Sequence, residues 1–122
     1  MTKIIAKRVY EKPGQNDGHR VLVDRLWPRG IKKEELIMDE WLKSIAPSTE
    51  LRKWFSHDAS RFNEFAALYR SELDNNDGLS EKIKEWREYE VVTLLYGAKD
   101  PLINHAVVLV DYISECAKNQ GQ

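Results

Sequence analysis

Cysteine is all but missing from this sequence: Cys116 is the only one in 122 residues, so no internal disulfide can form and the fold has to rest on its own core. A lone thiol in helix-patterned surroundings agrees with a reducing compartment. Long apolar runs are missing as well. None approaches the roughly 20 residues that cross a bilayer, and the opening Met1-Thr2-Lys3-Ile4-Ile5-Ala6-Lys7-Arg8 interrupts its short apolar segment with charge, unlike a secretory signal. A cytoplasmic protein with no membrane association is expected. Glycine and proline are sparse, at six and four residues. No Walker-type loop, dinucleotide glycine motif or Gly-x-Ser-x-Gly elbow occurs, which removes the usual nucleotide-binding and serine-hydrolase assignments. No cofactor is implied.

The composition that remains, 42% hydrophobic and 32% charged, is that of a globular chain, and the length suits one domain over 1–122. The net charge of -1 conceals an asymmetry. Residues 1–33 carry nine Lys/Arg against three Asp/Glu, or +6, which leaves ten against seventeen, or -7, for the rest. The basic third can face an anionic partner, or the two halves can pair with each other.

Residues 3–10 and 19–25 read as two strands, separated by the turn-forming Glu11-Lys12-Pro13-Gly14-Gln15-Asn16-Asp17-Gly18. That loop could close a hairpin or lead into a crossover, although it is short for a helical one. Leu26-Trp27-Pro28-Arg29-Gly30 then leaves strand register. Residues 33–46 fit both helical and alternating patterns, giving a helical turn followed by an extended piece. Ser48 can cap a helix striped by Leu51, Trp54 and Phe55, which His57-Asp58 ends. From about 59 to 74, Phe62, Phe65, Ala66, Tyr69 and Leu73 share one helical face. Leu79, Ile83 and Trp86 mark a third helix after Asn75-Asn76-Asp77-Gly78. Val91-Val92-Thr93-Leu94-Leu95 has no polar side and belongs mid-sheet. A final helix follows Gly97, with Asp100 as cap, Pro101 in its first turn and Ile103, Ala106, Val107, Val110, Ile113 and Ala117 on its buried face. The tail Lys118–Gln122 is expected to fray. The fold class is therefore α/β: a small sheet of three to four mostly parallel strands flanked by about four helices.

In such sheets the loops after the carboxyl ends of strands border the ligand crevice, so the segments after residues 25 and 95 are the candidates for a site. The first supplies Arg25, Trp27 and Arg29; the second supplies Lys99 and the amide end of the last helix, with Asn104 and His105 in its early turns. Arg52 could join from the 49–56 helix. These residues suggest an anion pocket, because guanidinium forks match phosphate and carboxylate oxygens in pairs. The competing reading is that the arginines pair with Asp24, Asp39 or Asp58 and only brace loops. Among His19, His57 and His105, the last is best placed for proton transfer as a catalytic residue, although a lone histidine is more often a hydrogen-bonded structural group. His57-Asp58 suggests metal-ligand pairing, but the further ligands at helical spacing are missing, so no metal is expected. Cys116 has no histidine beside it in sequence. Of the four tryptophans only Trp27, set between Arg25 and Arg29, reads as a ligand-facing platform.

Taken together, Val21-Leu22-Val23-Asp24-Arg25-Leu26-Trp27-Pro28-Arg29-Gly30, Ala46-Pro47-Ser48, Leu51-Arg52-Lys53-Trp54-Phe55, His57-Asp58, Phe65, Tyr69, Leu94-Leu95-Tyr96, Asp100 and Asn104-His105-Ala106 resemble the YeaO-like family of small bacterial proteins over nearly the whole chain. The resemblance implies a compact α/β fold whose signature residues include these arginines and the histidine; it implies no activity. More distant relatives carry a cysteine in the final strand-to-helix turn, where this chain has Tyr96 and Asn104, which speaks against thiol chemistry. Three functions follow as alternatives: a pocket for a phosphate- or carboxylate-bearing small molecule, a nucleic-acid-binding module using the basic third, and a protein-interaction subunit. Against the second stand a pI near 6.3 and the absence of a recognisable nucleic-acid motif. The sequence assigns neither catalysis nor an oligomeric state.

Overall fold

A computed structural model describes residues 2–120, with side chains through 117. Four strands, β1 (Lys3–Arg8), β2 (His19–Leu22), β3 (Glu40–Trp41) and β4 (Val91–Tyr96), form one sheet in the order β1-β4-β2-β3. Every neighbouring pair is parallel. Four α-helices, α1 (Thr49–Phe55), α2 (Phe62–Asp74), α3 (Asp77–Trp86) and α4 (His105–Gln120), complete the α/β architecture. None is long and apolar enough to cross a membrane among the described residues. Residues 118–120, expected to fray, continue α4, and residues 121 and 122 lie outside the described ones.

The centre of the sheet goes to the most apolar strand. Val92, Thr93, Leu94 and Leu95 in β4 are inaccessible to solvent, whereas β1 and β3, at the edges, are half-exposed. The β1–β2 connection is therefore not a hairpin, because β4 lies between the two strands. Ten residues separate them. Extended, ten residues reach about 33 Å, enough to return along a strand without a helix. Asp17 organises this return: its carboxylate accepts from Gly14 N (2.9 Å), pairs with Lys7 (3.3 Å) and receives the Arg20 guanidinium. Burial acts against the charged form, but these donors hold the Asp17 carboxyl below the ordinary aspartate range. Next to it, Gly18 has φ +63°, and a Cβ there would sit 2.3 Å from the Val91 carbonyl oxygen, so the chain passes against β4 only as glycine.

Alternation assigns the two faces of the sheet. Val21, Val23, Val92, Leu94 and Tyr96 join the main core with the helices, while Leu22 and Leu95 point the other way. Among the described residues that second face carries no helix: Val9, Leu22 and Leu95 are covered by Trp27, Ile31, Leu36 and Met38 from the long β2–β3 connection and by Trp41 of β3. A turn near 33–35 and then a short extended piece agree with the dual pattern read in 33–46, with a 3-10 turn, Lys43–Ile45, after it. Ser48 caps α1, accepting from Leu51 N at 3.2 Å. Helix α1 ends with Ser56 and His57 both in the left-handed region, at φ 46° and 57°.

The last helix starts later than its sequence suggests. Asp100 does act as a cap, but of a turn: its Oδ1 accepts from Leu102 N (2.8 Å) and Ile103 N (3.2 Å). Asn104 is the residue at the helix start, its Oδ1 accepting from Val107 N at 3.0 Å. Pro101 therefore lies outside α4. The buried stripe of the helix is also shifted from the one its spacing indicates: Val108 and Leu109 are buried with Ala106 and Ile113 where α4 packs against both the sheet and α2, whereas Val107, Val110 and Ala117 are only partly buried and Ile103 precedes the helix.

Candidate functional site

Beyond the carboxyl ends of β1, β2 and β4 three loops meet, and Asp24 ties two of them together. Its Oδ2 accepts from Gly97 N at 2.8 Å, and its main-chain oxygen accepts from Trp41 Nε1 at 2.7 Å. A Cβ at Gly97 would lie 3.0 Å from that same Oδ2, so the two loops can close this tightly only with glycine there. His105, at the start of α4, donates through Nε2 to the Val23 carbonyl oxygen at 3.1 Å, with Asp24 Oδ1 3.0 Å from the same nitrogen. The proton on Nε2 is thus held by the protein, leaving Nδ1 as the only ring nitrogen able to accept one.

Arg25, Trp27, Arg29, Arg52, Lys99, Asn104 and His105 all line one cavity of about 360 Å³. Their roles in its wall differ. Arg25 braces the α1 entry, donating from Nε to Pro47 O (3.0 Å) and from Nη2 to Ala46 O (3.3 Å). Trp27 donates its indole N–H to Ile31 O at 2.6 Å and packs edge-on against Trp41, so it is a wall fixed from behind. Arg29 is held by its main chain, whose oxygen accepts from Tyr10 Oη at 2.9 Å, and its side chain is exposed. Asn104 is occupied at both ends, its Nδ2 donating to Asp100 O at 2.8 Å. Phe55 and Phe65, stacked at 4.2 Å, contribute apolar wall.

Among the described residues, Arg25, Arg29, Arg52 and Lys99 form no ion pair with any carboxylate. The three aspartates that could have neutralised them are engaged elsewhere: Asp24 beside His105, Asp39 3.7 Å from His19 Nδ1, and Asp58 3.7 Å from Arg61 Nε. Arg52 is the extreme case. Its Nε is buried without a hydrogen-bond partner, a condition that costs about 1–3 kcal/mol. The cavity lining thus has four cationic side chains and one carboxylate, Asp24, whose Oδ2 is bonded to Gly97 N while its Oδ1 is buried without a hydrogen bond.

The sequence reading passed over three lining residues. Tyr10 follows β1, the third strand whose carboxyl end faces the cavity. His57, which the sequence ranks behind His105 for proton transfer and offers as half of a metal-ligand pair, lines the cavity in a strained left-handed conformation. Asp24 was taken as a counter-ion; that an aspartate stands directly before Arg25, at the end of a buried strand, was the available signal. A larger hollow, of about 860 Å³, opens at the amino ends of the strands around Asp17, His19, Asp39 and Tyr89. Asp17, Asp39 and His19 there are already paired with Lys7, Arg20, Glu40 and each other, and the two further charges in its lining, Lys3 and Glu90, are of opposite sign.

Comparison with known proteins places this geometry in context. A family model described as "Inactive DUF488-N3 subclade" matches residues 3–122. The chain is similar to "Uncharacterized protein YeaO" of Escherichia coli (strain K12), 46% identical over 110 residues that cover 90% of this chain and 96% of the relative. It is also similar to "Uncharacterized protein Rv3073c" of Mycobacterium tuberculosis and "Uncharacterized protein Mb3100c" of Mycobacterium bovis, each 40% identical over 113 residues, 93% of this chain and 95% of theirs. No solved structure matches.

Proposed function

The chain belongs to the YeaO-like family, in the group described as the inactive DUF488-N3 subclade, and from that premise we propose that its cavity holds the phosphate or carboxylate group of a small molecule. The observation that carries this reading is the set of unneutralised cations, Arg29, Arg52 and Lys99 above all, around one concavity. A guanidinium packed into a wall without a counter-ion is stabilised when an anion arrives, and each charge-assisted hydrogen bond contributes about 1.5–3 kcal/mol. Cavities of roughly 300–1,000 Å³ suit small-molecule ligands, and 360 Å³ falls at the compact end. Arg25 contributes positive potential from the wall while its hydrogen bonds hold residues 46 and 47.

The chemistry of the lining favours holding over turnover. No serine, threonine or cysteine lines the cavity, and the His105–Asp24 pair is bound to backbone groups. His105 then acts as a positioning residue that fixes Asp24 and the start of α4, and the word "inactive" in the family description agrees with such a site.

Thermal unfolding with inorganic phosphate and with benzoate tests the reading. Wild type is expected to gain several degrees with a saturating anion. Arg29→Ala and Lys99→Ala should each weaken binding about tenfold or more while leaving the unliganded transition within a degree or two. Variants that fail to fold would mark both residues as braces, and variants that keep the full shift would remove them from the site. A steep fall in affinity with salt, extending to DNA or RNA at low ionic strength, would instead favour a nucleic-acid surface.

A further inference from the structure

Building on the anion reading above, we propose that the ligand of the carboxyl-end cavity is an anion with an apolar, hydroxyl-poor body, such as an aryl or alkyl phosphate or carboxylate, and that polyhydroxy anions such as sugar phosphates are rejected.

The argument starts from the balance of donors and acceptors in the wall. Apart from the imidazoles of His57 and His105, most acceptors are engaged from inside the protein. Asp24 Oδ2 takes the Gly97 amide, and Oδ1, 3.0 Å from His105 Nε2, is buried away from solvent without a hydrogen bond of its own. Asn104 Oδ1 takes the Val107 amide. The carbonyl oxygens of Ala46 and Pro47 accept from Arg25, and that of Ala98 accepts from Arg8 Nε at 2.8 Å. The donors stand the other way: the forks of Arg29 and Arg52 and the ammonium of Lys99 have no carboxylate partner among the described residues. A carboxylate or phosphate oxygen only accepts, so it matches such a wall. A hydroxyl must also donate, and each one buried against spent acceptors loses affinity on the order of tenfold.

The rest of the wall is apolar. Leu26, Trp27, Pro28, Pro47, Phe55 and Phe65 all line the cavity. Trp27 cannot turn its N–H toward a ligand, since Ile31 O holds it, so it presents only ring surface. Leu26 stands 59% exposed between Arg25 and Arg29, an apolar side chain left in water where a ligand body would cover it. Cations for one end of the ligand and dry surface for the other define an amphiphilic anion, and the compact volume limits its body to about one ring.

Isothermal titration separates this inference from the reading it rests on. The same anion is offered on two bodies: phenyl phosphate against glucose 6-phosphate, and benzoate against gluconate, with inorganic phosphate as the bare group. The expected result is that the aryl member of at least one pair binds ten times or more tightly than its polyhydroxy partner, and that Leu26→Ser removes most of that advantage while inorganic phosphate binds as before. Leu26 is exposed, so the substitution leaves the fold intact. Equal affinities within each pair, or a preference for the sugar anions, would overturn the inference and leave the anion pocket standing. Binding by none of the five probes would overturn both.

Discussion

Glu40, on the edge strand β3, gathers three donors on one carboxylate: His19 Nε2 at 2.5 Å, Lys82 Nζ at 2.6 Å and Trp86 Nε1 at 3.1 Å. Burial raises its pKa, but the hydrogen bonds from His19, Lys82 and Trp86 and the charge of Lys82 outweigh that and bring it from 4.5 down to about 2. A folded-state pKa below the unfolded value means stability that is complete above the unfolded pKa and is lost as pH falls toward the folded one. Urea unfolding should therefore show wild type losing about 2 kcal/mol through this group between about pH 6 and pH 3. Glu40→Gln should lose correspondingly less over that interval; an unchanged slope would mean the cluster contributes nothing. At this scale the sequence is least legible. That Arg25, Arg29 and Arg52 would border one hollow could be reasoned from strand ends, but that Arg25 is held by two carbonyl groups while Arg52 lacks a partner depends on loop paths no spacing encodes.

Elements announce themselves where a repeating apolar pattern meets a cap. The stripe Phe65, Tyr69 and Leu73 in α2, and Leu79, Ile83 and Trp86 in α3, are buried as their helical spacing required. Helix α1 illustrates what lies beyond local pattern. Ser48 was readable as its cap, yet its N–H and Oγ also donate to Glu72, at 2.8 and 2.6 Å, and so fasten the seven-residue helix to α2. Ser48→Ala should cost about 1–2 kcal/mol in chemical denaturation, at the upper end for a cap because the Oγ bond to Glu72 is lost with it while the N–H bond remains. A cost below about 0.5 kcal/mol would show that packing alone holds α1. The start of α4 is not legible in the sequence because Asp100-Pro101 has the signature of a helix entry and Asn104 four residues later has the cap chemistry too; Asp100 takes the Leu102 and Ile103 amides in a turn, and the helix begins where Asn104 takes the Val107 amide. β3, two residues long, has too few residues for alternation to be seen.

Across the whole molecule the charge asymmetry resolves into two kinds of contact. Lys7 and Arg20 of the basic third are spent on Asp17, which fastens the β1–β2 return, and Arg8 is bonded through Nε to Ala98 O. Arg29 has no such partner among the described residues and stands at the cavity with Lys99 and Arg52 from outside that third. Internal pairing thus accounts for part of the basic segment, and Arg25 and Arg29 from the rest of it stand at the carboxyl end of the sheet. The parallel fold class followed from the central strand and the alternation of strands with helices, but strand order did not: an extended ten-residue return can join parallel strands as well as a helix can, so loop length could not decide between hairpin and crossover.

The account depends on the guanidinium of Arg52 receiving an external anion. Its Nε–H, buried and unbonded, can be followed directly by the ¹H–¹⁵N resonance of that group during titration with phenyl phosphate. The Arg52 Nε signal is expected to move in a saturable way, with Arg29 moving at the same midpoint and Arg61, bonded to Trp54 O and outside the cavity lining, staying still. Arg52 and Arg29 signals that stay fixed up to tens of millimolar ligand, or a uniform drift of every arginine together, would contradict it.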